Sequence, residues 1–441
     1  MTTSVTPTRS VSPDEADRMF EVLSDVEAVL LAVSGGPDST ALMVLAAGHW
    51  SRQGRDPSRL QVATVDHGLR AESATEARQV AEIAARHGLE HHTLVWGERP
   101  HTAVQERARA ARYTMLGALA RQLWPDLSAA VATGHTRDDQ AETLLMRLSR
   151  GTGLDGLAGI APVRFLDPFH ETRLFRPLLT VSKAQLMATL QQTGVASVVD
   201  PSNADPTFER VRIRAALTAA CETGDDVERI AQTAERLRVA SLAIDAACHQ
   251  LATTAQLSLN AGAFAAFDWA AVRQAPVAVQ VRFLTKLLAA FGGQDDPPRL
   301  SRVERLVKQL DASTFRAATT AGCLVRRHGT WIYLMREPDR RPFPRVVLKP
   351  GDCARWDNRF MVSLTTDAPG DMQVAGLPHH VESQGYSGDL HRFGWSAAVS
   401  SLPVFLDDQR VVAIPHFDPQ SAERAGCQVR FRRVGLEDTG M

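Results

Sequence analysis

Val29-Leu30-Leu31-Ala32-Val33-Ser34-Gly35-Gly36-Pro37-Asp38-Ser39 decides the fold. Five apolar residues run without a polar interruption into a Gly turn, which reads as a strand buried on both faces, as in a parallel sheet. The chain from Asp38 to Ala47 then reads as a helix. Two adjacent glycines let the backbone turn tightly and bring its N–H groups close to an anion. The hydroxyls of Ser34 and Ser39 add donors, and the helix start adds its positive end. Asp38 inside such an anion site makes sense if Mg²⁺ bridges it to phosphates. The G-x-x-x-x-G-K-[ST] pattern of the common P-loop is absent, and no lysine lies near the turn in sequence. Taken alone, the six residues from Ser34 to Ser39 also fit a plain strand-to-helix turn.

The same alternation continues outward. Gln61–Val65, His92–Trp96 and Ala129–Thr133 read as strands. Glu72–His87, Val104–Leu123 and Asp138–Ser149 read as helices, the first with Val80, Ile83, Ala84 and His87 on one stripe. Alternation of this kind predicts an α/β fold with a doubly wound parallel sheet. Ligands of such sheets bind at the carboxyl ends of the strands, where Ser34, Asp66-His67 and Gly134-His135 all fall. After about Ala215 the chain turns Ala-rich and helical in period over Asp226–Leu251, Val272–Phe291 and Arg302–Leu310. Four prolines between Pro338 and Pro350 read as a linker, and short β-like runs such as Phe360–Thr365 and Val411–Ile414 follow. The expected division is an N-terminal extension (1–27), a catalytic domain (28–216), a helical middle domain (217–337) and a small α+β domain (338–441).

In Gly134-His135-Thr136-Arg137-Asp138-Asp139-Gln140-Ala141-Glu142-Thr143, a helix puts Asp138, Asp139 and Glu142 on one face. Clustered like charges call for a cation, either a metal or an amine. An acidic first turn complementing the helix dipole accounts for the pattern equally well when it stands alone. A Gly-rich loop flanked by arginines follows, from Arg147 to Gly159.

These motifs in order resemble a known family. SGGPDS, VDHGLR (65–70), ARAARY (108–113), GHTRDDQAET (134–143), RLSRGTGLDGLAGI (147–160), Arg176-Pro177-Leu178-Leu179 and the segment from Asp200 through Arg214 resemble the tRNA(Ile)-lysidine synthases, within the PP-loop ATP pyrophosphatases. The match covers roughly residues 28–216. The chain departs from the family pattern at Gly134 and Thr136, at Val211, and in lacking a tryptophan just before Asp200.

The resemblance implies an ATP-consuming ligase. The first-anticodon-position cytidine of an isoleucine tRNA with a CAU anticodon is adenylated, and free L-lysine then displaces AMP. It implies ATP and Mg²⁺ at Ala32, Val33, Ser34, Gly35, Gly36, Pro37, Asp38 and Ser39, with Asp66, His67, Gly134 and His135 around the nucleotide. It gives catalytic roles to Asp38, Asp139 and Glu142, the last two holding a lysine ammonium, and to Arg112 as an orienting cation.

A partner as acidic as tRNA needs a local basic face, because the formal net charge of the 441 residues is −1. Arg302–Lys349 carries eleven Lys/Arg against four acids, and Arg326, Arg327, Arg210, Arg212 and Arg214 are the named candidates. A solvated charged face is the alternative. The five cysteines form no C-x-x-C pair and all lie at or beyond Cys221, which disfavours a zinc site and the sulfur transfer of related tRNA thiolases. A non-catalytic, nucleotide-dependent tRNA binder is the competing class. No apolar run reaches membrane-span length and no signal peptide is evident, so the expectation is a cytoplasmic protein. A homodimer is compatible with the sequence.

Overall fold

Ala28 to Leu31 have no exposed surface, and their side chains alternate between two cores. Val29 and Leu31 pack among Leu42, Met43, Trp50 and Leu178, while Ala28 and Leu30 pack among Tyr113, Leu116, Trp124 and Leu174. A strand apolar on both faces needs cover on both, and helices supply it. The structure is a computed structural model. It describes residues 8–66, 73–97, 104–198, 207, 209–220, 224–294, 297–337, 341–377, 396–408, 410–416 and 418–436.

The chain divides into two compact units, residues 1–241 and 242–441. The first runs α1 (Pro13–Phe20), β1 (Ala28–Ala32), α2 (Pro37–Arg52), β2 (Leu60–Asp66), α3 (Ser73–Arg86), β3 (His91–Val95), α4 (Val104–Leu123), β4 (Ala129–Thr133), α5 (Arg137–Ser149), α6 (Leu154–Leu157), β5 (Val163–Phe165), β6 (Arg173–Phe175), α7 (Lys183–Thr193) and α8 (Glu209–Ala220). A long helix, α9 (Gly224–Thr254), begins in it. The sheet order is β3-β2-β1-β4-β6-β5, with β5 antiparallel to β6 and every other pairing parallel. The winding direction reverses between β1 and β4, so a crevice opens at their carboxyl ends. The segment before the first strand folds too. Ser12 caps α1 in a capping box, and Phe20 is buried with its ring stacked on His49 of α2 at 5.3 Å.

The stretch read as mostly helical up to residue 337 also carries a four-stranded sheet. β7 (Phe264–Asp268) leads through α10 (Trp269–Val272), α11 (Val277–Phe291) and α12 (Leu300–Asp311) to β8 (Ala317–Thr320), β9 (Cys323–His328) and β10 (Trp331–Arg336). These four strands form an antiparallel sheet in the order β7-β10-β9-β8. Phe267, Phe283, Leu287, Phe291 and Leu306 join that sheet to the helices in one core. Small antiparallel sheets follow. One is built from β11 (Val346–Leu348), β14 (Met372–Gly376), β15 (Pro403–Asp407) and β16 (Arg410–Ala413), the other from β12 (Cys353–Trp356), β13 (Phe360–Leu364) and β17 (Cys427–Phe431), with the short α13 (Ser396–Val399) and α14 (Pro419–Arg424) among them.

Candidate active site

At the end of β1 the turn is fixed by its own hydroxyls. Ser34 N–H donates to Ser39 Oγ at 3.2 Å, Ser39 Oγ donates to Gly36 O at 3.0 Å, and Thr40 Oγ1 donates to Gly35 O at 3.0 Å. Gly35 has φ +88°, a conformation side chains disfavour, and a Cβ there would meet Val198 Cγ2 at 3.1 Å. Gly36 caps α2 without a side chain, so the helix start offers bare N–H groups to an anion. Ala32 and Val33 lead into this turn, and Val33 N–H bonds to Ala63 O of β2 at 3.0 Å.

The loop after β4 meets the same spot. A Cβ on Gly134 would lie 2.7 Å from Asp38 O and 3.0 Å from Ser39 N, so only glycine permits this approach. Two residues later Thr136 caps α5. Its N–H and Oγ1 donate to Asp139 Oδ2 at 2.7 and 2.8 Å, which aims the other Asp139 oxygen into the crevice.

Three acids converge there. Glu142 is 2% exposed and Asp139 7%. Glu142 accepts from Arg210 Nε at 2.6 Å and Arg214 Nε at 2.7 Å, and Asp139 Oδ1 accepts from Arg210 Nη2 at 2.8 Å. Lys183 Nζ lies 3.4 Å from Asp139, 3.7 Å from Glu142 and 3.8 Å from Asp38. Its backbone N–H donates to Asp138 Oδ2 at 2.9 Å, which joins the start of α7 to the start of α5.

Burial raises Asp38 to about pH 6, with Lys183 opposing the shift and Asp139 and Asp138 adding to it. For Asp139, burial pushes upward, but Lys183 and Arg210 outweigh it and hold the carboxyl below its ordinary range. Burial is likewise outweighed at Glu142, by Arg214 and Lys183. His135 accepts or shares a proton with Thr133 Oγ1 at 2.9 Å, and burial beside Arg176 drops its pKa to about 3, so it is neutral at physiological pH.

The structure thus brings Asp38, Asp139, Glu142, Gly134 and His135 to the phosphate turn. Asp66 ends β2, where its carbonyl accepts from Trp96 N–H at 2.9 Å. His67 lies outside the described residues. Arg112 sits on α4, its pKa lowered by burial and by Arg109.

The three alternating arginines do not form one outward patch. On α8 positions 210 and 214 share a face and turn to the acids, while Arg212 donates to Thr207 O at 2.9 Å. In the second unit Arg327 donates to Gly329 O at 3.0 Å and Leu310 O at 3.1 Å, while Arg326 is exposed on β9. Arg336, counted with the basic stretch, is buried against Asp357. Arg302 and Arg305 instead line an open groove of about 420 Å³ with Gln309, Thr319 and Glu337.

Lys183 is the residue that sequence reasoning missed. Its signal was the Ser182-x-x-Gln185 capping box, which places a lysine at the first position of a helix whose start faces the acids.

Asp38 also answers whether Mg²⁺ fits. Its Oδ1 is buried with no hydrogen-bond partner, a carboxylate oxygen free for a cation. Among the described residues no group of three or more His, Cys, Asp or Glu side chains is placed to hold a metal. One carboxylate plus phosphate oxygens is a usual Mg²⁺ donor set.

A parallel sheet whose switch point carries a Gly-rich anion turn beside buried carboxylates defines an ATP-using enzyme of the PP-loop class. A family model described as a PP-loop domain matches residues 11–221. A tRNA(Ile)-lysidine synthase of Bradyrhizobium sp. is 42% identical over 72% of this chain and 88% of its own length. That of Rhodopseudomonas palustris is 40% identical over 77% and 99%. Among solved structures, a U34-tRNA thiolase from Methanococcus maripaludis aligns over 51% of this chain and 78% of its own, with 15% identity and a TM-score of 0.41. The chain belongs to the tRNA(Ile)-lysidine synthase family.

Proposed function

We propose that this enzyme joins L-lysine to the first anticodon cytidine of an isoleucine tRNA with a CAU anticodon. The observation that carries the reading is the convergence of Asp38, Asp139 and Glu142 on one ammonium, that of Lys183, beside the phosphate turn. A pocket that gathers buried carboxylates around an amine has the chemistry to receive the amine of a substrate.

In the first step the cytidine C2 oxygen attacks the α-phosphorus of ATP, forming an O–P bond as pyrophosphate leaves. In the second an amine of L-lysine forms a C–N bond at C2, its proton is lost, and the C–O bond to AMP breaks. The amides of Gly35, Gly36 and Asp38 at the start of α2 stabilise charge on the phosphate oxygens. Asp38 would hold Mg²⁺, which would supply positive charge against the phosphate oxygens. Asp139 and Glu142 hold the ammonium of the incoming lysine in exchange for a cation they now bind. A carboxylate so placed also takes the proton that the amine must lose before attack. His135, neutral, can hydrogen-bond to the base without adding charge.

Thiolation is disfavoured, because the cysteines among the described residues, Cys248, Cys323, Cys353 and Cys427, all lie in the second unit. Among the described residues no helix is long and apolar enough to cross a membrane; a tRNA substrate favours a cytoplasmic location.

Asp139→Asn tests the assignment. It should still release pyrophosphate from ATP with the tRNA, yet transfer lysine at under a hundredth of the normal rate, within the range of acid–base contributions. Full lysine transfer by the variant would refute the role.

A further inference from the structure

The first unit contains a second concentration of charge that the reaction above does not use. Arg109 and Arg164 both lie over the ring of Tyr113, with guanidinium carbons 5.3 and 5.0 Å from its centroid. Arg176, 4% exposed, follows the carboxyl end of β6. It donates to Ala161 O at 2.5 Å, while its Nε is buried with no partner. Burial lowers the Arg176 pKa to about 10, and Arg164 and Arg109 add to the shift. For Tyr113, burial pushes upward, but the same three guanidiniums outweigh it and hold the hydroxyl below its ordinary value.

Several other arginines of this unit are paired: Arg137 with Glu228, Arg150 with Glu209, Arg173 with Asp25, and Arg210 and Arg214 with Glu142. Arg109, Arg164 and Arg176 form no ion pair among the described residues. Cations crowded onto one ring repel each other, and a buried charge without a counter-ion is unfavourable. An anion bound there relieves both costs, and guanidiniums match phosphate oxygens well.

We infer that Arg109, Arg164 and Arg176, gathered around Tyr113, form a phosphate-binding cluster that seats the RNA backbone beside the reacting cytidine. The inference rests on the proposed tRNA substrate. Two sources of phosphate are conceivable, the RNA backbone and the ATP tail. The sheet favours RNA, because the order β1-β4-β6-β5 puts Arg164 of β5 and Arg176 after β6 beyond β4 from the nucleotide turn. Two strand spacings separate β1 from β6, roughly 10 Å. His135 follows β4, the strand between β1 and β6, and its electrostatic neighbours include Arg176 and Arg109 as well as Asp139. ATP, the acids and the backbone phosphates of the anticodon loop therefore line up along one edge of the sheet.

The test uses the full-length enzyme with Arg109→Ala and Arg164→Ala combined, since both side chains are exposed and their loss spares the core. Affinity for the CAU-anticodon tRNA is measured across a salt series, and ATP affinity is measured without tRNA. Binding of tRNA should weaken about tenfold or more, and the slope of log affinity against log salt should fall by about two, one for each lost phosphate contact. ATP affinity should stay unchanged. A wild-type slope in the variant overturns the inference. So does a loss of ATP affinity with the tRNA slope intact, which hands the cluster to the nucleotide. If the wild-type enzyme itself binds no tRNA, the proposed function fails along with the inference.

Discussion

Glu142→Gln separates the charge of the acid cluster from its shape. The side chain keeps its size but loses the charge that satisfies Arg210 at 2.6 Å and Arg214 at 2.7 Å. A hydrogen bond to a charged group is worth about 1.5–3 kcal/mol. Both arginine side chains are 37–39% exposed, so solvent screens a good part of that; we expect a loss of about 2–3 kcal/mol in total. In a unit of 241 residues each kcal/mol lowers the melting temperature by roughly 2–4 °C, which gives a drop of about 4–12 °C.

The assay is thermal unfolding across pH. Arg214 and Lys183 hold the Glu142 carboxyl below its ordinary range despite burial. A lowered folded pKa gives stability that is present above the unfolded value and lost as pH falls through the folded one. The gap between wild type and variant should therefore be constant from pH 8 to about 5 and close below about pH 4, near the unfolded carboxyl value. A variant that melts within a degree of wild type at pH 7, or a gap that widens on acidification, refutes the reasoning.

Asp38 has the opposite sign. Its folded pKa, about 6, lies above the ordinary value of 3.8, so the ionised carboxylate lowers stability as pH rises between these two values. Asp38→Asn should be more stable than wild type at pH 8, by about 2 kcal/mol, and lose this advantage below pH 4 while abolishing pyrophosphate release. Equal melting at pH 8 would contradict the burial argument. Gly134→Ala puts a methyl group 2.7 Å from Asp38 O, and overpacking of this kind costs about 1–3 kcal/mol. The variant should fold yet lose pyrophosphate release because the two loops are forced apart; wild-type kinetics would show that their close approach is unimportant.

The strands and helices around the phosphate turn were legible because periodicity is local. β1 is apolar throughout, and α5 announces itself through Thr136 and the acids behind it. The partners of those acids were not legible. Arg210 and Arg214 read as part of a basic patch, because a charge count cannot tell which cations face inward. Lys183 stands 44 residues from Asp139, and only folding of α7 against α5 makes them neighbours. The sheet of the second unit was missed for a different reason. Phe264–Asp268 is Ala-rich and short, so its composition resembles the helices around it, and its strand state comes from pairing with Trp331–Met335. The arginine cluster around Tyr113 has no sequence signature either, since α4, β5 and β6 each contribute to it.

Transfer of labelled L-lysine to tRNA tests the central claim most directly. The enzyme is given ATP, Mg²⁺ and either isoleucine tRNA with a CAU anticodon or the same tRNA with its first anticodon base changed to U. The account predicts label only on the CAU tRNA and only with ATP, with AMP and pyrophosphate released in equal amounts. No label on the CAU tRNA, or equal label on both tRNAs, would contradict it.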